Sequence, residues 1–179
     1  MDSIKDKIAI VTGGTRGIGR AISEQLLREG AAVAICGRSQ DSVDSAVAAM
    51  KPLGRVFGQA TDVAEVEQVS RFFQAVEREF GGLDILINNA GEGVFHKVGE
   101  MTPEEWHRNI DLNLNGAFYC SREALAQFAR RGGGFIVNIS SLAGKNPFSG
   151  GAGYNASKFG LNGFSEAMML DHRDRKSVV

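Results

Sequence analysis

Tyr154 and Lys158 stand four residues apart in YNASK, and Ser141 precedes them in the run NISSLAG. On a helix, that spacing puts the phenol and the ammonium on one face, within reach of each other. A lysine cation beside a tyrosine stabilises the phenolate, which prepares the phenol to give its proton to a carbonyl oxygen. A serine hydroxyl directed at the same oxygen fixes its position and donates to it as charge develops. These three residue types in this pattern therefore suit proton transfer at a carbonyl or, in reverse, at an alcohol.

A second cluster lies near the N-terminus. Gly13, Gly14, Gly17 and Gly19 fall in TGGTRGIG, directly after the apolar run Ile8 to Val11 and before the helical pattern AISEQLLREG. Strand, glycine turn and helix in that order bring backbone N–H groups and a helix N-terminus up to an anion such as a pyrophosphate. The spacing of Gly13, Gly17 and Gly19 is G-x-x-x-G-x-G, not the G-x-G-x-x-G of the common dinucleotide fingerprint, and the same glycines also suit a plain tight turn.

The elements that must hold these clusters follow from periodicity. Short apolar runs alternate with helical patterns, as a parallel sheet with helical crossovers requires. Strands are predicted at 8–11, 31–36, 55–59, 84–88 and 135–140, and residues 176–179 read as the start of a sixth. Helices are predicted at 41–50 with Ser39 as cap, at about 65–80 with Val66, Val69, Phe73, Val76 and Phe80 on one face, and at 152–170. Thr102-Pro103, a cap followed by proline, opens one long helix to about Arg130. On it, Trp106, Ile110, Leu114 and Phe118 lie four apart, a face for packing on the sheet or on a partner subunit. The fold class is α/β: a Rossmann-like doubly wound parallel sheet with helices on both faces, in a single domain over 1–179. In such a sheet the ligand lies outside the carboxyl ends of the strands. One crevice should then collect the glycine turn, Gly37-Arg38, Asp62-Val63, Asn88 to Gly91 and Ser140-Ser141.

Composition sets the limits. With 179 residues, 43% hydrophobic, the chain can bury one sizeable core. Its 20 Lys and Arg against 21 Asp and Glu leave no global basic field for nucleic acid or an anionic membrane. No apolar run is long enough to span a membrane, and MDSIKDK has none of the features of a signal peptide, so a cytoplasmic location is expected. Cys36 and Cys120 belong to no C-x-x-C, and His96, His107 and His172 show no ligand spacing. Buried core thiols and no metal site are the expectation.

T-G-x-x-x-G-x-G at Thr12 to Gly19, N-N-A-G at Asn88 to Gly91, Ser141, and Y-x-x-x-K at Tyr154 to Lys158 occur in that order across nearly the whole chain. Together they resemble the short-chain dehydrogenase/reductase family, and most nearly its 3-oxoacyl-carrier-protein reductase branch. The resemblance implies hydride transfer between a nicotinamide and a carbonyl compound or secondary alcohol. It makes Tyr154 the general acid/base, has Lys158 also hold the nicotinamide ribose, and gives Ser141 the substrate oxygen. Asn113 would complete a proton relay through water; a structural part for it, or Asn115 in its place, is the alternative. The cofactor would lie along Gly13, Thr15, Arg16, Gly17, Ile18 and Gly19. Asp62 and Val63 would border the adenine, Asn89, Ala90 and Gly91 would close the other side, and Asn88 would tie the fourth strand to its neighbour.

Charge argues for NADP(H) over NAD(H). A carboxylate at the end of the second strand would accept from the adenosine ribose of NAD and repel a 2′-phosphate. Gly37 and Arg38 stand there instead, with Arg16 as a second cation, unless both arginines are solvated surface charges. The expected substrate is a small-molecule or acyl-thioester carbonyl compound. Alternatives are another secondary alcohol, such as a sugar, steroid or small hydroxy compound, or a dinucleotide-binding sensor without turnover. Family members are commonly homo-oligomers, dimers or tetramers, joined through the two long helices. They also continue past a sixth strand into segments that cover the nicotinamide and shape the substrate pocket, so the chain is expected to lack the family's C-terminal strands.

Overall fold

Strand β1 (Ile8–Thr12) has every side chain buried, which requires a central strand covered on both faces. The computed structural model, which describes residues 4–172 and 177–178, places it at that position. It pairs in parallel with β2 (Ala32–Gly37) on one side and β4 (Ile85–Asn88) on the other. With β3 (Val56–Ala60), β5 (Gly134–Asn138) and the two-residue β6 (Ser177–Val178), the sheet runs β3-β2-β1-β4-β5-β6, entirely parallel. This is the doubly wound order, with its switch point between β1 and β4.

Alternation along the strands separates two cores. Ile8, Ile10, Ala32, Ala34 and Cys36 face α3 (Val66–Phe80), α5 (Gly116–Arg131) and α6 (Ala152–Asp171), where Phe72, Phe73, Phe128 and Met168 are buried against them. Val11, Val33 and Ile35 face α1 (Gly17–Arg28) and α2 (Gln40–Met50), through Leu27, Ala46 and Met50. Each such large apolar side chain contributes about 1.5–3 kcal/mol on burial. Both cysteines are free and buried.

The long helix expected from Thr102 to Arg130 is divided. α4 (Pro103–Ile110) passes into a π turn, Asp111–Asn115, before α5, and the Gly116 N–H reaches back five residues to the Asp111 carbonyl. Two demands meet at this point. Asn113 must face the loop after β4, while α5 must descend close to the end of β3, where a Cβ on Gly116 would come within 2.9 Å of Val63 Cγ2. One extra residue in the turn meets both.

Other boundaries also move. β5 stops at Asn138, so Ile139 and Ser140, expected in the strand, belong to the loop beyond it. Asp84 precedes β4; its carboxylate accepts from the Ile8 N–H at 2.9 Å and pairs with Arg131 at 3.1 Å. Of the expected sixth strand, Lys176 and Val179 lie outside the described residues. Among those described, no helix is long and apolar enough to cross a membrane.

Candidate active site

The glycine turn forms an open cradle. Gly13 and Gly17 hold φ of +64° and +56°, the left-handed region that favours glycine, and nothing lies within 4 Å of where a Cβ on Gly17 would stand. Gly19 serves packing instead: a Cβ there would lie 2.5 Å from the Gly13 carbonyl and collide with the Asn89 amide. The first turn of α1 carries neither a side-chain cap nor an acid. α2, by contrast, is capped by Ser39, and α4 by the reciprocal Thr102–Glu105 box. The leading N–H groups of α1 are thus left for an anion.

Thr12 fastens this cradle to the loop after β4. Its hydroxyl accepts from the Asn89 and Ala90 N–H groups, each at 3.0 Å, and the Asn89 side-chain amide donates to the Thr12 carbonyl at 2.9 Å. Asn88 ties β4 to β5 and α5, donating to Asn138 Oδ1 at 2.8 Å and to Ser121 Oγ at 3.1 Å.

These loops enclose a crevice of about 740 Å³, within the span of roughly 300–1,000 Å³ usual for ligand sites. Gly13, Thr15, Arg16, Gly17 and Ile18 line one part, Arg38, Asp62 and Val63 another, and Asn89, Ala90 and Gly91 the side toward Tyr154 and Lys158. Of the residues expected in the crevice, Gly14, Gly19, Asn88, Asn113 and Ser141 do not line it.

At the Tyr154 end the geometry is specific. Lys158 is buried; its Nζ donates to the Ile139 carbonyl at 2.9 Å and lies 5.8 Å from the Tyr154 ring centroid. Burial holds its pKa below the ordinary lysine value. The Tyr154 ring meets Phe95 edge-on at 5.6 Å, and Phe95 in turn meets Phe148 at 5.7 Å. The two serines differ. Ser140 lines the crevice, but its hydroxyl donates to Asn162 Oδ1 at 2.7 Å. Ser141 caps the short turn Leu142–Gly144, accepting from the Ala143 N–H at 3.1 Å, which leaves its own hydrogen free to donate.

A family model for short chain dehydrogenases matches residues 7–179. The chain belongs to the short-chain dehydrogenase family, oxidoreductases that work with a nicotinamide cofactor. It is 39% identical over 168 residues to a 3alpha-hydroxysteroid dehydrogenase of Mediterraneibacter gnavus, covering 92% of this chain and 67% of that one. A 3beta-hydroxysteroid dehydrogenase of the same organism is 37% identical, with coverage of 96% and 63%. The chain thus spans about two thirds of the length of these curated relatives. The crystal structure of a protein assigned as a short-chain alcohol dehydrogenase, from Sinorhizobium meliloti 1021, superposes with a TM-score of 0.93 at 32% identity, covering 98% of this chain and 71% of that one. The open Gly17 backbone and the uncapped start of α1 fit a dinucleotide pyrophosphate.

Asn109, Glu92 and Arg108 of this short-chain dehydrogenase were not legible as site residues, whereas Asn113 was expected at the site. Asn113 spends both amide hydrogens on the Glu92 carbonyl (2.8 Å) and Ser157 Oγ (3.1 Å), and its oxygen accepts from the Glu92 N–H at 3.0 Å. Asn109 brackets Val94 in the same way, at 3.1 and 3.2 Å. Asn115, the other candidate, donates to Asp111 at 2.7 Å. The N-x-x-x-N spacing of 109 and 113 was the available signal. Glu92 lines the crevice and accepts from Arg38 at 3.3 Å and from Arg108 at 3.0 Å. Arg108, with Arg38, holds the Glu92 carboxyl below its ordinary pKa against the opposing effect of burial. Burial pushes the Cys36 thiol up to about 12, which disfavours its thiolate form although the residue lines the crevice. Among the described residues, no group of three or more His, Cys, Asp or Glu is placed to hold a metal.

Proposed function

We propose that this chain carries the machinery of an NADP(H)-dependent carbonyl reductase or secondary-alcohol dehydrogenase. The observation that carries the reading is the Tyr154–Lys158 pair at one end of a crevice that also contains the uncapped glycine turn. A nicotinamide held in this crevice would supply a hydride to the carbonyl carbon, or take one from the carbinol carbon. Tyr154 gives its proton to the carbonyl oxygen, turning C=O into CH–OH, and takes it back in the other direction. Lys158, its Nζ 5.8 Å from the Tyr154 ring centroid, supports the negative charge left on Tyr154 and would hold the ribose hydroxyls of the cofactor. Ser141, whose hydroxyl keeps a free hydrogen although the residue does not itself line the crevice, would donate to the same oxygen. Asn113 acts as a positioning residue, because its side chain is committed to Glu92 and Ser157.

Arg38 and Arg16, with no acid at the end of β2, support NADP(H) as the preferred cofactor, the 2′-phosphate taking the cations. Asp62 and Val63 border the adenine. For the substrate, reduction of a 3-oxoacyl thioester is one reading. A cyclic secondary alcohol is the second, supported by the hydroxysteroid dehydrogenases among the relatives and by the Phe95 and Phe148 rings beside Tyr154. The setting is a cytoplasmic homo-oligomer.

Tyr154→Phe tests the central assignment. Ketone reduction with NADPH should fall by about 10²–10⁴-fold while NADPH binding, followed by its fluorescence, stays intact. Undiminished turnover would remove Tyr154 from its role. A panel containing a 3-oxoacyl thioester and a steroid ketone separates the two substrate readings.

A further inference from the structure

Glu92 follows the N-N-A-G loop and stands at the rim of the crevice. Its backbone is fixed at both polar atoms by Asn113, so the position of its carboxylate is not left to a free loop. That carboxylate bridges two arginines: Arg108 of α4, which contacts it through Nε and at 3.0 Å through Nη2, and Arg38, whose Nη2 is 3.3 Å away. Arg38 follows β2 and Glu92 follows β4, the two strands on either side of β1. The Arg38–Glu92 pair therefore joins the loops that flank the glycine turn, across the groove in which a dinucleotide would lie.

We propose that Glu92 is a cofactor-selectivity residue, whose carboxylate competes with the 2′-phosphate of NADP(H) for the Arg38 guanidinium. The inference rests on the reading of Arg38 as the cation for that phosphate. A guanidinium offers a limited planar fork of donors, and a carboxylate and a phosphate seek the same ones. When a 2′-phosphate arrives, Arg38 exchanges one anion for another, and Glu92 keeps Arg108, so the exchange leaves neither charge unpaired. NADH has no phosphate to take Arg38, and Glu92 handicaps it less. Glu92 thereby narrows the preference that Arg38 creates, from the opposite side of the groove and from a strand other than the one on which the family's selectivity acid would stand.

Calorimetric titration of the full chain with NADPH and NADH tests this. Glu92→Gln keeps the shape and removes the competing charge. The ratio of NADH to NADPH dissociation constants should rise by about fivefold or more, with NADPH tightened. The double variant Arg38→Met/Glu92→Gln, compared with Arg38→Met alone, identifies the route: without Arg38 the Glu92 effect on NADPH should shrink to less than about twofold. An effect that persists at full size without Arg38 means that Glu92 acts as a general negative field, and overturns the proposal. So does a Glu92→Gln variant whose ratio does not rise. Arg38→Met separates the two levels: if it weakens NADPH while Glu92→Gln leaves the ratio unchanged, only the Glu92 inference fails. If Arg38→Met leaves NADPH binding unaltered, the assignment of the 2′-phosphate to Arg38 fails with it.

Discussion

Lys158 is an ionisable group held in a buried position, and that has a measurable consequence. Burial lowers its native pKa below the 10.5 of an unburied lysine. Between the native value and 10.5 the unfolded chain holds a proton that the native chain has released, so stability rises with pH across that window. The gain is complete above 10.5 and is lost as pH falls through the native pKa. Denaturant unfolding from pH 7 to about 10.5 should therefore show the native protein gaining stability relative to Lys158→Met. Parallel curves would mean that Lys158 titrates alike in both states. The adjacent serines are another question that belongs to this scale. The run NISS supplies two hydroxyls and no means of choosing between them by spacing alone; hydrogen bonding distinguishes them, since Ser140 is committed to Asn162 while Ser141 retains a free donor. Ser141→Ala should lower kcat by about 10²–10³-fold, whereas Ser140→Ala should act on stability, by about 1 kcal/mol.

Strands and the glycine turn were legible because their signals are local. A β-branched run bounded by glycines reads as a strand whatever surrounds it, and β1 ends within one residue of its expected position. The π turn was not legible. Ile110, Leu112 and Leu114 continue a plausible helical pattern, and nothing in the local sequence registers an extra residue whose cause is the loop carrying Glu92 and Val94. That loop lies against the α4–π segment with its backbone paired to two amides four residues apart: Asn109 takes Val94 and Asn113 takes Glu92. The two asparagines imitate the edge of a strand, and both are buried. Asn113→Ala would leave a backbone N–H and a carbonyl of Glu92 without their partners, at a cost of about 2–3 kcal/mol in unfolding free energy. Asn109→Ala should cost a similar amount through Val94. If both variants unfold with native midpoints, water replaces the amides at no cost and the ladder does not hold the loop.

For the whole molecule, the main question is what covers its apolar surface. Trp106, Ile110, Leu114 and Phe118 were expected to pack on the sheet or on a partner, and the two outer members settle part of this: Trp106 is 40% and Phe118 44% exposed. On α6, Phe159 is 45% exposed, and Phe164 meets the edge of the Phe118 ring at 6.1 Å. A second exposed apolar strip lies on β5, at Phe135 and Val137. These are different surfaces, one on helices and one on the sheet. Contiguous exposed apolar area commonly marks an association surface, and helix-on-helix packing between copies would bury aromatic rings already locked in place by their neighbours. If the homo-oligomer forms through α5 and α6, Phe118→Asp and Phe159→Asp should each shift the protein toward monomer in sedimentation velocity, since burying an unpaired carboxylate costs several kcal/mol. Phe135→Thr, on the sheet, should leave the sedimenting species unchanged. The opposite result, with Phe135→Thr dissociating the oligomer and Phe118→Asp without effect, would move the contact to β5. The helix interface would also bear on the site, because Tyr154 and Lys158 lie on the same α6 that carries Phe159. A monomeric Phe159→Asp variant that still binds NADPH but reduces its substrate more slowly would show that association steadies the catalytic face of that helix.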